Sequence, residues 1–518
     1  MIAFTASRPP ERFNMAEYVI GRAALESPEK VALIVVADAG GATPSEIWTY
    51  HELQRAVLQI ASALQGNGLT RGDRVLIRLD NTSAYALLFF GAIAAGLVPI
   101  PASSQLTESE AAFVMANSGA RCVVIPDAKE HNPQISHVTL RASDIAHMVA
   151  QIGAPATTYA STAADDPAYM IYTSGTTSQP KGVLHAQRAA WGRRPMYQGW
   201  YGLRADDRML HAGAFNWTFT LGVGLTDPWA NGTTAIVYTG EKTPAVWPRL
   251  IAATGATLFA AVPSVFRQIL KYAPPTHDQL RTLRHGLVAG EAPPASLFED
   301  WHAATATHLY EAFGMSEIST CISSSPNASR KPGFIGRAQP GRTIAILPVD
   351  GGTTPLPANA EGLIAVHRSD PGLMLGYWQR PAEDAEVSRG DWFVGGDLGV
   401  MDADGYIAHR GRSNDIMKAL GYRVAPQEIE AVLAGCPGVA DVACAEVHVR
   451  DGVSIIGAFI VPVAGAIVDA EVVLATARAK LAAYKVPHQI ILVDVLPRTA
   501  NGKLKRQELA RLFVAKRG

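Results

Sequence analysis

Hydroxyl, glycine and lysine side chains are concentrated in Thr173-Ser174-Gly175-Thr176-Thr177-Ser178-Gln179-Pro180-Lys181-Gly182. Hydroxyl donors, close backbone approach at Gly175 and Gly182, and the charge of Lys181 are what a polyphosphate needs if it is to be held without a deep basic pocket. The stretch follows the β-branched and aromatic run Tyr169 to Tyr172 and leads into Val183-Leu184-His185, so it is predicted to be a loop between two extended segments. It is not the G-x-x-x-x-G-K-[ST] loop, because Gly182 follows Lys181 and no helix signal comes next. Composition alone leaves an ordinary flexible loop open.

The elements that must position these groups alternate between apolar strands and helices. Val31 to Val36 is predicted as a strand, and Thr49 with Glu52 forms a capping box that opens a helix through Leu64. Arg74 to Leu79 and Cys122 to Ile125 are further strands. Ala84 to Pro101 carries no formal charge, but Pro99 and Pro101 break it, so it is a buried helix running into a buried strand and not a membrane span. Asp404-Gly405-Tyr406 signals a hairpin turn, and Gly351-Gly352 a surface turn. Such alternation predicts an α/β fold with helix-covered, mostly parallel sheets.

Composition bounds the partners. A chain of 518 residues, 48% hydrophobic and 18% charged, has ample core for two or more domains. A net charge of -1 disfavours nucleic acid and anionic membrane. The four cysteines, Cys122, Cys321, Cys436 and Cys444, form no C-x-x-C pair, which points to neither a zinc site nor a disulfide framework and fits a reducing cytoplasm. Met1 to Arg12 has no apolar run behind its charges and does not read as a signal peptide.

Five stretches in order, with Thr173 to Gly182 as the first, resemble the motifs of the adenylate-forming superfamily, which holds acyl-CoA synthetases, peptide-synthetase adenylation domains and luciferases. Ser178 stands where that family usually has Gly. Tyr310-Glu311-Ala312-Phe313-Gly314-Met315-Ser316-Glu317 is similar to its adenine and magnesium motif, with Phe313 for Tyr and Ser316 for Thr. Trp392 to Asp397, Gly411-Arg412-Ser413-Asn414-Asp415-Ile416-Met417-Lys418 and Pro497-Arg498-Thr499-Ala500-Asn501-Gly502-Lys503 complete the set. Asn501 replaces a hydroxyl residue, and Asn414 sits at the hinge where Asp or Lys is usual.

The resemblance implies roles. Thr173, Ser174, Gly175, Thr176, Thr177 and Lys181 hold ATP phosphates; Gly290, Glu291, Ala292, Ala312, Phe313, Gly314, Met315 and Ser316 line the nucleotide. Asp397 accepts the ribose hydroxyls and Arg412 contacts ribose and phosphate. Glu317 with Thr176 holds Mg2+, and Lys503 and Lys418 are the catalytic lysines. After adenylation the domain from residue 414 to 518, a small α+β lid, swings about Asn414 against the domain of residues 1–413. That motion brings Lys418 to Arg423 to the site, with Gly421 and Arg423 facing CoA. The lid is predicted to hold strands Ser454 to Val463 and Gln489 to Val495 around a helix from Ala470 to Tyr484.

Phe215-Asn216-Trp217 falls where amino-acid adenylation domains carry an Asp for the substrate ammonium. Asn216 lacks that charge, and Trp217 with Asp227-Pro228-Trp229 resembles medium-chain and aromatic acyl-CoA synthetases. Phe215, Asn216, Trp217, Gly290 and Gly314 are therefore expected to face the acyl group. The expected activity is a cytoplasmic acid:CoA ligase using ATP, Mg2+ and CoA on an aromatic, alicyclic or medium-chain acid. The alternative is an adenylating enzyme that loads an aryl or fatty acid onto a carrier protein in trans; either reading allows a homodimer.

Overall fold

The computed structural model describes residues 8–38, 43–128, 138–151, 158–173, 180–328, 330–413, 417–419, 422–424, 426–450, 453–498 and 504–515. The chain divides into a larger unit, residues 1–343 with 366–393, and a smaller one, residues 344–365 with 394–518.

The capping box forms as expected: the Thr49 hydroxyl accepts from the Glu52 amide, and the Glu52 carboxylate accepts from the Thr49 amide at 2.8 Å. The helix it opens, Tyr50–Gly66, buries Leu53, Val57, Ile60 and Leu64 on one stripe. The uncharged stretch resolves into the helix Ser83–Ala94 and the strand Val98–Pro101. Every helix position from Tyr85 to Ala94 is buried, which is why no polar face is needed. Its Gly91 meets the capped helix so closely that an added Cβ would lie 2.6 Å from Ile60. The strand joins an all-parallel sheet with Arg74–Ile77, Cys122–Ile125 and Val138–Arg141.

The central sheet of the larger unit runs, across its width, Gly336–Ala338, Ser319–Ser323, His308–Met315, His285–Ala289, Leu258–Ala261, Arg208–His211, Thr234–Tyr238, Val31–Val36 and Glu46–Thr49. The strands from His308–Met315 to Val31–Val36 are parallel to their neighbours, and the two flanks are antiparallel. Alternate side chains feed two cores. Leu33, Met209, Leu258 and Leu287 enter one with Trp200 and Trp229, while Ile34, Leu210, Phe259 and Val288 enter the other with Trp247 and Trp301. A third sheet in this unit pairs Pro167–Thr173 with Lys181–Ala186, and the latter with Gly376–Tyr377.

In the smaller unit the strands Val439–Arg450, Val453–Pro462 and Gln489–Leu492 form a sheet. One face packs Cys444, Ile456 and Ala458 on Ile429, Leu433 and Val473; the other packs Ala443, Val447 and Phe459 on Leu509 and Phe513. Several element ends differ from expectation: the helix opened at Thr49 runs on to Gly66, and the strand expected over Ser454 to Val463 is Val453–Pro462. The strand from Arg74 stops at Ile77, that from Gln489 stops at Leu492, and the helix from Ala470 stops at Lys480. Leu481 is already extended, and the chain makes only a short 3-10 turn, Ala483–Lys485, before Pro487.

A charged pair with a further hydroxyl partner lies within the larger core. Arg193 donates to both carboxylate oxygens of Asp227, at 2.7 and 2.6 Å, and Tyr201 donates to the same carboxylate at 2.6 Å. Asp227 is fully buried. Removing one partner strands the other charge in the interior, which costs about 3–5 kcal/mol. Asp227→Ala should therefore lower unfolding free energy in urea by about that amount, whereas Thr49→Ala should cost only about 1 kcal/mol; equal losses would contradict the assignment of the pair.

Candidate functional site

The parallel strands place the candidates by their carboxyl ends, where ligands bind in open α/β sheets. Arg208–His211 leads to Phe215, Asn216 and Trp217; His285–Ala289 leads to Gly290, Glu291 and Ala292; and His308–Met315 carries Ala312, Phe313, Gly314 and Met315 into Ser316 and Glu317. Ala289 pairs with Ala312 in register, so the second and third groups leave neighbouring strands side by side.

Trp217 and Gly290 are in contact. Gly290 has φ +97°, and an added Cβ would lie 2.4 Å from the Trp217 indole, so the position requires glycine on both counts. Phe215 is fully buried and its ring touches Tyr85 and His211 at centroid distances of 5.4 and 4.9 Å. Its amide donates to the Asn81 side chain at 2.9 Å. Asn216 is half-buried, and its Oδ1 has no hydrogen-bond partner among the described residues. Glu291 is half-buried and Ala292 exposed.

The hairpin after Met315 is tight. Gly314 lies against the Ser319 carbonyl, where a Cβ would approach to 2.1 Å, and Ser319 takes φ +72°. Arg193 donates to the Ser319 hydroxyl, which ties this turn to the buried ion pair. His185 holds the Ser316 carbonyl at 2.8 Å through Nε2 and stacks on Tyr169 at 4.6 Å. Burial pushes the His185 pKa down to about 3, so the ring is neutral, and Nε2 must carry its proton because a carbonyl only accepts. The Met374 amide donates to the Glu317 carbonyl at 2.7 Å, and the Tyr377 hydroxyl donates to Glu317 Oε1 at 2.8 Å.

Thr173 and Lys181 face each other as the last paired residues of their hairpin. Ser174, Gly175, Thr176 and Thr177 lie outside the described residues. Lys181 Nζ stands 5.3 Å from the centre of the Tyr377 ring. One tyrosine thus touches both the candidate phosphate lysine and the candidate metal carboxylate.

In the smaller unit Asp397 and Arg412 pair across antiparallel strands Trp392–Met401 and Tyr406–Arg412. Asp397 is only 3% exposed. Its Oδ1 is met by His409 Nε2 at 3.0 Å and Arg412 Nε at 3.5 Å. Its Oδ2 is buried with no hydrogen-bond partner among the described residues, leaving an acceptor for an incoming hydroxyl. Lys418 and Arg423 are paired positions of the hairpin formed by Met417–Ala419 and Tyr422–Val424. Gly421, Asn414 and Lys503 lie outside the described residues. His185, Tyr377 and His409 contact the candidates Ser316, Glu317 and Asp397, and the motif reading does not single them out.

Residues 20–378 match the family described as AMP-binding enzyme, and residues 428–503 match the AMP-binding enzyme C-terminal domain. The chain belongs to this family of adenylate-forming enzymes. It is 30% identical to the benzoate–CoA ligase of Thauera aromatica, with 97% of each chain covered. It is 28% identical to the 3-hydroxybenzoate–CoA ligase of an Aromatoleum species, covering 90% of this chain and 92% of that one. The ATP-bound crystal structure of MatB from Rhodopseudomonas palustris superposes with a TM-score of 0.88 at 26% identity, covering 96% of this chain and 98% of the other. No described helix is long and apolar enough to cross a membrane.

The nucleotide-motif strand also holds an unusual acid. Glu311 is half-buried, and burial raises its carboxyl to about 8 against a weaker lowering by Arg330. The unfolded chain releases this proton near 4.5 and the folded chain near 8, so between those values the folded state binds more protons and stability falls as pH rises. Glu311→Gln should flatten that decline, its advantage over wild type growing across the window in urea unfolding at a series of pH values. Parallel profiles would contradict the assignment.

Proposed function

We propose that the protein is an AMP-forming acid:CoA ligase acting on an aromatic carboxylic acid. The observation that carries the reading is the convergence on Tyr377 of Lys181 and Glu317, at 5.3 Å and 2.8 Å, with Glu317 following the strand that neighbours the one ending at Gly290, against which Trp217 lies. A cation, a carboxylate and an aromatic wall are the parts needed to bind a polyphosphate beside a flat acid. The benzoate and hydroxybenzoate ligases among its relatives support an aromatic substrate.

In the proposed reaction a substrate carboxylate oxygen attacks the α-phosphorus of ATP and the bond to pyrophosphate breaks. Repulsion between the two anions makes cations aimed at the developing charge the main catalytic need. Lys503 supplies that cation at the carboxylate and α-phosphate, and Lys181 with the hydroxyls of Thr173, Ser174 and Thr177 holds the β- and γ-phosphates. Asp397, whose Oδ2 is a buried acceptor without a partner among the described residues, takes the ribose hydroxyls, and Arg412 contacts ribose and phosphate. Glu317, an oxygen ligand suited to a hard cation, would hold Mg2+ with Thr176; when bound, the ion neutralises phosphate charge.

The second step is attack of a thiol sulfur on the acyl carbonyl, with AMP leaving. We place the hinge at Asn414, dividing residues 1–413 from 414–518, so that rotation withdraws Lys503 and presents Lys418, Gly421 and Arg423 to CoA. Gly421 leaves room for a thin pantetheine arm near backbone, and Arg423 suits its phosphates.

AMP and pyrophosphate formation with ATP, Mg2+ and a panel of benzoates, cyclohexanecarboxylate and straight-chain acids, with and without CoA, tests this reading. Turnover that needs both a benzoate and CoA supports it. Pyrophosphate release that CoA does not accelerate would favour a carrier-protein acceptor, and turnover independent of any acid would contradict the reading. Lys503→Ala should lose adenylation by about a hundredfold or more while still converting supplied acyl-adenylate and CoA to thioester; equal loss of both steps would overturn the two-conformation scheme.

A further inference from the structure

We propose that Tyr377 is a positioning residue that sets the Glu317 carboxylate and the Lys181 ammonium relative to each other, so that the metal-binding and phosphate-binding charges act as one unit. This rests on the ATP-binding reading above. The main chain of the Glu317 turn is already fixed, by His185 at the Ser316 carbonyl and by the Met374 amide at the Glu317 carbonyl. What those bonds leave free is the Glu317 side chain, with several rotatable bonds. The Tyr377 hydroxyl removes that freedom by donating to Oε1 at 2.8 Å, and it selects which oxygen is occupied from this side.

Tyr377 is itself held on three counts. Its amide donates to Asp384 at 2.8 Å, its strand pairs with Val183 two residues beyond Lys181, and the next residue, Trp378, donates from its amide to the Gly182 carbonyl at 2.7 Å. The ring therefore cannot drift from the lysine strand. Lys181 Nζ lies 5.3 Å from the ring centre, within cation–π range.

The two contacts can be separated, because Tyr377→Phe removes the hydroxyl and keeps the ring, whereas Tyr377→Leu removes both. ATP affinity of the full-length protein, titrated by calorimetry with excess Mg2+ and again in a chelator, distinguishes the roles. Wild type should bind ATP more tightly with Mg2+. Tyr377→Phe should lose about tenfold of that metal-dependent gain and require more Mg2+ for pyrophosphate formation, while its metal-free ATP affinity stays as in wild type, which also shows that it is folded. Tyr377→Leu should in addition weaken metal-free binding. A Phe variant with the wild-type metal gain and Mg2+ requirement would overturn the proposal alone; wild type that binds no ATP would overturn the ligase reading with it.

Discussion

The turn that carries Glu317 is held by hydrogen bonds from segments far apart in the chain. His185 reaches it from the phosphate hairpin, Met374 and Tyr377 from the segment near residue 375, and Arg193 anchors Ser319 just beyond it. Each partner is set by its own packing: His185 by Tyr169, Tyr377 by Asp384, Arg193 by the fully buried Asp227. A glutamate side chain has several rotatable bonds, so holding its carboxylate in a fixed place needs this support. The strain at Ser319 and the close approach at Gly314 are tolerated because these contacts over-determine the turn.

The same logic explains why the neighbouring aromatic wall is built around a glycine. Gly290 leaves its strand with positive φ and yields its Cβ space to Trp217. The edge of the indole at Cη2 thus lies against backbone at the end of a parallel strand. Asn216, next to Trp217 in the chain, is uncharged, and its buried Oδ1 has no hydrogen-bond partner among the described residues; under the proposed reading that disfavours an amino-acid substrate.

Much of this was legible in local sequence. The strands Val31–Val36 and Cys122–Ile125 and the buried helix-to-strand passage from Ser83 to Pro101 follow from apolar runs bounded by caps and prolines, and the Thr49–Glu52 box was readable to the residue. The pairing of Pro167–Thr173 with Lys181–Ala186 also reads locally, because the stretch between them is rich in hydroxyls and glycine and is bounded by extended runs. Tyr377, His185 and His409 were not legible. Their significance comes from partners 60, 131 and 12 positions away, and neither periodicity nor a motif records such pairings. The raised pKa of Glu311 was hidden for the same reason, since burial belongs to the packed strand and not to its neighbours in sequence.

The central claim is that a carboxylate attacks the α-phosphorus of ATP in this site. Benzoate labelled with 18O in both carboxylate oxygens, turned over with ATP and CoA, reports that bond directly by mass spectrometry of the AMP released. Attack at the α-phosphorus followed by thiolysis leaves one labelled oxygen in AMP and none in pyrophosphate. AMP without label, or label in phosphate derived from the β- or γ-position, would contradict the account.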